Sequence, residues 1–141
     1  MLKFTKRGTY NMISQGAKAN IAGAQLESQC EAVFSAFGME FTSQANFTDC
    51  YNNSRSRMDF YLPSLDCAVE CKRQNVSGTA DQKLPFVLEN LALFPARRGL
   101  LILDGTHYEN KQGIIQYLCT KQSEVFDWCF FYELEDWLGG Q

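Results

Sequence analysis

The chain has 141 residues, 45% of them hydrophobic and 21% charged, which is ordinary for a soluble globular protein and predicts a single domain over residues 1–141. No apolar run approaches the length of a membrane span, which excludes an integral membrane protein of helical type. The N-terminus lacks the apolar segment of a signal peptide, so we expect a cytoplasmic protein.

The net charge of −3 is unevenly distributed along the chain. Residues 1–98 contain 11 Lys and Arg against 9 Asp and Glu, a net charge of +2, whereas residues 99–141 contain 2 against 7, a net charge of −5. A total of −3 is not typical of a DNA-binding protein. If acids in the first part bind a metal, however, the surface around them is more basic than the total implies.

The six cysteines do not predict disulfides or a zinc site. Nothing in the sequence indicates secretion, there is no CxxC pair, and His107 is the only histidine. Four of the cysteines fall inside apolar patterns, and we expect them to be reduced and buried as small hydrophobic residues. These four are Cys30, Cys67, Cys71 and Cys129.

The first elements are a lead-in, a helix and a strand. Residues 1–19 form an irregular basic segment in which Lys18 is one candidate phosphate contact, with a frayed terminus as the alternative. An apolar stripe at helical spacing predicts a helix from Asn20 to Phe37, which Gly38 ends. An edge strand follows at about residues 41–47. Arg55 lies in the polar loop after it, as a potential DNA contact or a solvent-exposed residue.

Residues 57–72 predict two short strands joined by a turn at residues 63–66. Alternation in the first strand predicts that Met58, Phe60 and Leu62 share one face and that Asp59 lies on the other. In the second strand it separates Ala68, Glu70 and Lys72 from Cys67, Val69 and Cys71. If the strands pair, two carboxylates and one ammonium group converge on one patch of the sheet.

This patch suits a magnesium ion, because two close carboxylates repel each other and Mg²⁺ takes oxygen ligands together with water. The alternative is a solvated sheet face with a surface ion pair. An acid-x-Lys triplet by itself is weak evidence, since the chain contains two more, Asp81-Gln82-Lys83 and Glu109-Asn110-Lys111. Only Glu70-Cys71-Lys72 lies in an apolar strand with an acid on the strand before it.

The remaining elements alternate between helix and strand. A helix is predicted from about Asp81 or Leu84 to Phe94, and Gln82 and Lys83 at its start either hold a phosphate or form a solvated first turn. An apolar run at residues 99–104 predicts a central strand covered on both faces. A helix at residues 111–119, an aromatic-rich strand at residues 125–132 and a helical turn at residues 133–137 complete the chain. The order indicates an α/β fold around one small sheet.

Asp59 followed by Glu70-x-Lys72 resembles the signature of the PD-(D/E)xK nuclease superfamily, although Met58 replaces the usual proline. The run VSGTADQKLPFVLENL resembles the stretch after the motif in small members of phage or bacterial type, and the resemblance covers roughly residues 20–105. It implies a restriction-endonuclease-like core, with a central mixed sheet flanked by helices in the order αβββαβ. It also implies a bacterial, archaeal or phage-infected host cell.

The resemblance also implies a division of roles. Asp59 and Glu70 would bind Mg²⁺, for which Mn²⁺ can substitute, together with the backbone carbonyl of Cys71, and Lys72 would position water or stabilise the transition state. Glu27 on the first helix and Gln82 would be secondary catalytic residues. The alternative interpretation of Glu27 and Glu31 is two solvated acids. The candidate DNA contacts are Arg55, Arg57, Arg73, Lys83 and Lys18.

The sequence therefore predicts a Mg²⁺-dependent DNA endonuclease. The alternative is a module on a nuclease fold that binds DNA or a protein without cutting. Because one small domain holds one active site, cutting both strands of a duplex predicts a homodimer or larger homo-oligomer. The sequence does not distinguish a duplex site, a junction, a nick or a DNA end as the substrate.

Overall fold

The computed structural model describes residues 15–48, 55–76 and 80–141, in which five strands form one mixed sheet. The strands follow the chain order across the sheet: β1 (Thr42–Thr48), β2 (Arg55–Leu62), β3 (Cys67–Arg73), β4 (Arg98–Asp104) and β5 (Phe126–Phe130). The first three strands are antiparallel neighbours, and β3, β4 and β5 run parallel. Parallel neighbours need a crossover, and helices supply it at both β3–β4 and β4–β5.

Five helices flank the sheet in the described part of the chain. They are α1 (Gln15–Ala36), α2 (Leu84–Leu93), α3 (Thr106–Glu109), α4 (Gln112–Lys121) and α5 (Leu134–Gly139). This architecture confirms the predicted α/β fold with a central mixed sheet flanked by helices. The first six helices and strands of the chain follow the predicted order αβββαβ. None of these helices combines the length and the apolarity that crossing a lipid bilayer requires.

Two hydrophobic cores lie on opposite faces of the sheet, and β4 contributes to both. Leu100 and Ile102 pack beneath α1 and α5 in what we call the α1 core, whereas Leu101 and Leu103 pack against α2, α3 and α4 in the α2 core. Strand β4 is buried at every position after Arg98, as predicted for a central strand covered on both faces. The sheet is therefore a fixed platform for the polar residues of β2 and β3.

The apolar stripe of α1 packs onto this platform. Leu26, Cys30 and Phe34 recur at four-residue spacing and are fully buried in the α1 core. Gly38 adopts a φ of +66°, and the N–H of Met39 donates to the carbonyl of Phe34 at 2.9 Å, which ends the helix. Glu27 is adjacent to this stripe, on a helix that contacts β3.

Gly105 fixes the end of β3 against the end of β4. Its φ is +104°, and a Cβ atom there would lie 2.2 Å from the carbonyl oxygen of Gln74, so the close approach requires glycine. Gln74 donates its N–H to the carbonyl of Asp104 at 3.0 Å and accepts from the N–H of His107 at 3.1 Å. These contacts hold the strand end that carries Lys72 and Arg73.

Several predicted boundaries differ from the structure, and Arg55, which was predicted to lie in a loop, is the first residue of β2. Helix α1 begins at Gln15, so residues 15–19 are helical, while residues 1–14 lie outside the described ranges. Alanine, glutamine and lysine favour helix, and a helix packed further along extends into such residues without an apolar pattern. The predicted helix at residues 111–119 is α4 from Gln112, preceded by the short α3. Strand β5 ends at Phe130, where a 3₁₀ turn at Phe131–Glu133 begins.

Candidate active site

The site lies where the backbone hydrogen bonds between β2 and β3 are replaced by hydrogen bonds to side-chain carboxylates. The two strands pair in register from Leu62–Cys67 to Phe60–Val69. At the next position, the N–H of Asp59 donates to Oε1 of Glu70 at 3.0 Å. The N–H of Cys71 in turn donates to Oδ2 of Asp59 at 3.0 Å. The two carboxylates thus occupy a gap in the sheet and accept backbone hydrogen bonds there.

The backbone around Asp59 departs from regular alternation. Met58 and Phe60 are both fully buried, but Met58 packs in the α2 core and Phe60 in the α1 core. The prediction that Met58, Phe60 and Leu62 share one face was therefore wrong. The change of face coincides with the interruption of the β2–β3 ladder at Asp59 and with a φ of 52° at Gln44, which lies opposite Asp59 on β1. The predicted grouping of Cys67, Val69 and Cys71 in β3 is confirmed.

Glu70 is the most perturbed carboxyl group of the site. Its side chain is 13% exposed. Burial and then the charge of Asp59 raise the pKa of Glu70 to about 7, against the lowering effects of Lys72 and of the Asp59 N–H. The ionised pair of Asp59 and Glu70 is thus short of positive charge. Such a pair favours binding of a cation.

The donors present fit a hard divalent cation. Asp59 and Glu70 offer only oxygen, which suits Mg²⁺. Within the described ranges, no group of three or more His, Cys, Asp or Glu side chains is arranged to hold a metal. A magnesium ion does not require one, because it is usually bound through one or two carboxylates and retains several water ligands. The two acids are therefore compatible with Mg²⁺ and offer no tetrahedral zinc site.

Lys72 lies beside Glu70 and remains accessible. Its Nζ is 3.6 Å from Oε2 of Glu70, and its side chain is 40% exposed. An ion pair of this exposure stabilises the fold by at most about 1 kcal/mol. The ammonium group is thus held near the carboxylates and can still reach a bound molecule.

Glu27 joins the same electrostatic field from α1. It is half-buried, and Gln44 donates its side-chain N–H to Oε1 of Glu27 at 2.7 Å. Burial and then the charge of Asp59 raise the pKa of Glu27, whereas Lys72 lowers it. The structure therefore brings Glu27, Asp59, Glu70 and Lys72 together. The sequence analysis missed Gln44, because a single glutamine in a polar edge strand gives no signal of its own.

The thiol of Cys71 borders the site. A hydrogen bond with Cys30 and burial hold the pKa of Cys71 well above the ordinary value of a thiol. Its Sγ lies 3.5 Å from Oδ2 of Asp59, to which the thiol donates. The predicted burial of Cys30, Cys67, Cys71 and Cys129 as free thiols is confirmed, while Cys119 is exposed and Cys50 lies outside the described ranges.

The remaining predicted site residues make no contact with this cluster in the part of the chain that the structure describes. Gln82 and Lys83 are exposed in a 3₁₀ turn at Ala80–Lys83, just before α2, and no hydrogen bond or ion pair found in the described ranges joins them to the acids. Arg55 and Arg57 are exposed on β2. Lys18 lies within α1, and its side chain is outside the description.

Arg73 is engaged within the protein. Its Nε donates to Oδ2 of Asp104 at 2.6 Å, and the two side chains are 7% and 6% exposed. The guanidinium group also donates to Oε1 of Gln29. The DNA contact predicted for Arg73 stays a prediction, but this geometry gives the residue a structural role, because it ties β3 to both β4 and α1.

A family model described as a PD-(D/E)XK nuclease superfamily domain matches residues 18–128. The matched range contains α1 from residue 18 onward, all of β1 to β4 and each of the residues in the cluster around Asp59 and Glu70. No curated protein and no solved structure matches the chain.

Proposed function

The chain belongs to the PD-(D/E)XK nuclease superfamily, and from this premise we propose that it is a Mg²⁺-dependent DNA endonuclease that hydrolyses phosphodiester bonds. One observation supports the proposal more than any other. Asp59 and Glu70 meet in an interrupted sheet ladder, beside an accessible lysine, with the pKa of Glu70 raised to about 7. Two buried acids that share a site repel each other, and a bound cation relieves that repulsion.

In this proposal Asp59, Glu70 and the carbonyl of Cys71 hold the metal. When bound, Mg²⁺ supplies Lewis-acid stabilisation of charge on the phosphate and makes water easier to deprotonate. The protein holds the acids in position through the backbone, because the N–H groups of Asp59 and Cys71 fix one oxygen of each carboxylate. This arrangement restricts both side chains before any substrate arrives.

Lys72 and Glu27 act on the substrate side of the same cluster. The ammonium group of Lys72 neutralises negative charge that grows on the phosphate oxygens, or orients the attacking water. Glu27 accepts a hydrogen bond from water near the metal ligands. Water adds to phosphorus and gives up a proton, the bond from phosphorus to the leaving oxygen breaks, and that oxygen takes up a proton. Gln82 is a secondary residue that contacts the phosphate.

DNA is the proposed partner. The exposed cations on the described surface that we assign to its backbone are Arg55, Arg57 and Lys83, with Lys18 and Arg73 as the weaker candidates. Phosphate contacts of this kind position a duplex or a branched molecule without reading its sequence.

Metal dependence tests the proposed function directly. We expect the purified protein to cut at least one of linear, supercoiled, single-stranded and four-way-junction DNA with Mg²⁺ or Mn²⁺, and none of them in excess EDTA. Ca²⁺ should support binding without cutting. The check is gel analysis of cleavage alongside equilibrium binding. Undiminished cutting in EDTA would exclude this mechanism, and DNA binding without cutting in any metal would favour the non-cleaving module.

A homodimer or larger assembly is part of the proposal. One domain of this size holds one site, so simultaneous cutting of both duplex strands needs two copies. We expect sedimentation velocity with duplex DNA and Ca²⁺ to show at least two chains per complex. A one-to-one complex that still cuts both strands in a single event would contradict the assembly.

A further inference from the structure

Gln44 adopts a backbone conformation that its own side chain does not favour. Its φ is 52°, and Asp66 is the other non-glycine residue with positive φ in the described ranges. Asp66 closes the 3₁₀ turn at Pro63–Leu65, and aspartate is among the residues that tolerate this region. Gln44 lies inside a strand, where regular backbone would continue the ladder. A strained residue in such a place persists when the surrounding structure requires it.

The strain coincides with the candidate active site. On β1, Ser43 pairs with Phe60 and Ala45 with Met58, so Gln44 lies opposite Asp59. From this position its Nε2 donates to Oε1 of Glu27 at 2.7 Å. Gln44 thus lies opposite Asp59 in the sheet and also binds the carboxylate of Glu27, which α1 provides.

The chemistry of this contact suits a role in holding a carboxylate. Glu27 is half-buried, and burial and then the charge of Asp59 raise the pKa of Glu27, whereas the hydrogen bond from Gln44 lowers it. An amide N–H stabilises the carboxylate and fixes its direction. Because the amide is neutral, it adds no positive charge that would compete with a bound cation.

We propose that Gln44 is a positioning residue that fixes the Glu27 carboxylate beside Asp59 and Lys72, and that the positive φ of Gln44 is maintained for this contact. The inference rests on the proposed function and deepens it, because it completes the cluster with a residue from β1. Residues that do not bind a metal themselves but hold the groups around it typically change metal affinity or activity by 10- to 100-fold when they are removed.

Gln44→Gly separates this role from a structural one. Glycine accepts a φ of 52° without strain, which offsets the cost of placing a glycine in a strand, so the unfolding temperature of the variant should stay close to that of the parent. The same change removes the amide and should weaken Mn²⁺ binding about 10-fold and slow single-turnover DNA cleavage by a similar factor. Mn²⁺ binding to the protein alone is measured by electron paramagnetic resonance of the free ion.

Two further variants complete the test. Asn46→Gly, in the regular part of β1, should lower the unfolding temperature and leave Mn²⁺ affinity unchanged. Combining Gln44→Gly with Glu27→Gln should lose no more Mn²⁺ affinity than Glu27→Gln alone, because the two residues act as one unit. Parental Mn²⁺ affinity and cleavage in Gln44→Gly, or fully additive losses in the double variant, would overturn the inference. If the parent binds Mn²⁺ but cuts no DNA, the proposed function fails, and the Mn²⁺ affinities still decide the role of Gln44.

Discussion

Asp59→Asn is expected to reduce single-turnover cleavage on the order of 1,000-fold, and Glu70→Gln to have a comparable effect. Each change removes one of two negative charges that make the site attractive to a divalent cation, while the side chain keeps its size. Each also keeps an oxygen that can accept the backbone hydrogen bond now made to Asp59 or Glu70. The loss should therefore come from the chemistry of the site. The measurement is the cleavage rate at saturating Mg²⁺ with enzyme in excess over DNA.

The stability of these variants without metal supplies the control. Because the pKa of Glu70 is raised from 4.5 to about 7, the folded protein binds more protons than the unfolded chain between these values. The stabilisation is complete below pH 4.5 and is lost as the pH rises through about 7. Asp59→Asn removes one cause of the raised pKa, so at pH 8 in chelator the variant should be at least as stable as the parent.

Urea unfolding at pH 5 and pH 8 checks this expectation. Glu70→Gln should flatten the loss of stability between the two values, because the titrating group is gone. If an inactive variant were also unfolded, its loss of activity would say nothing about the catalytic role of the residue, and the unfolding curves detect that case. If a folded Asp59→Asn or Glu70→Gln variant cut at near the parental rate, the active site would be reassigned to Asp81 and Lys83.

The sequence predicted most of the fold because its elements bury one side at a fixed period. The stripe of α1 and the continuous apolar run of β4 each leave one structural interpretation, since their residues have to be covered. The same holds for β5, where Phe126, Trp128 and Phe130 pack in the α2 core and Cys129 in the α1 core, as alternation predicts. Helix ends were less well predicted, because they depend on propensity and capping rather than burial.

The details of the site depend on contacts between distant parts of the chain. The change of face between Met58 and Phe60 follows from the interrupted pairing at Asp59, which no local pattern contains. The pair of Arg73 and Asp104 joins residues 31 positions apart, so the sequence pattern indicates Arg73 only as a candidate DNA contact. Glu27 was placed near the acids by the family resemblance, and its partner Gln44 required the register of β1 against β2.

Lys72 should affect the rate far more than DNA affinity. Its Nζ is held 3.6 Å from Oε2 of Glu70, next to the charge that develops on the phosphate. Losing a group that stabilises such charge costs on the order of 100-fold in rate, about 2.7 kcal/mol. Losing one phosphate contact among many changes the slope of log K against log salt by only about 0.9. Lys72→Met should therefore bind DNA in Ca²⁺ almost as well as the parent and cut about 100-fold more slowly.

Two further variants make the assignment specific to this position. Lys72→Arg should not restore the rate, because a planar guanidinium group cannot take the place of a compact ammonium group beside a metal-bound water. Lys111→Met is the matched control, since Lys111 closes the same acid-x-Lys triplet at Glu109 but is exposed at the start of α4. It should change neither the rate nor the affinity. Single-turnover cleavage and equilibrium binding are measured for all three variants. A large loss of affinity in Lys72→Met with an unchanged cleavage rate would make Lys72 an ordinary phosphate contact, and the non-cleaving module would then explain the site better.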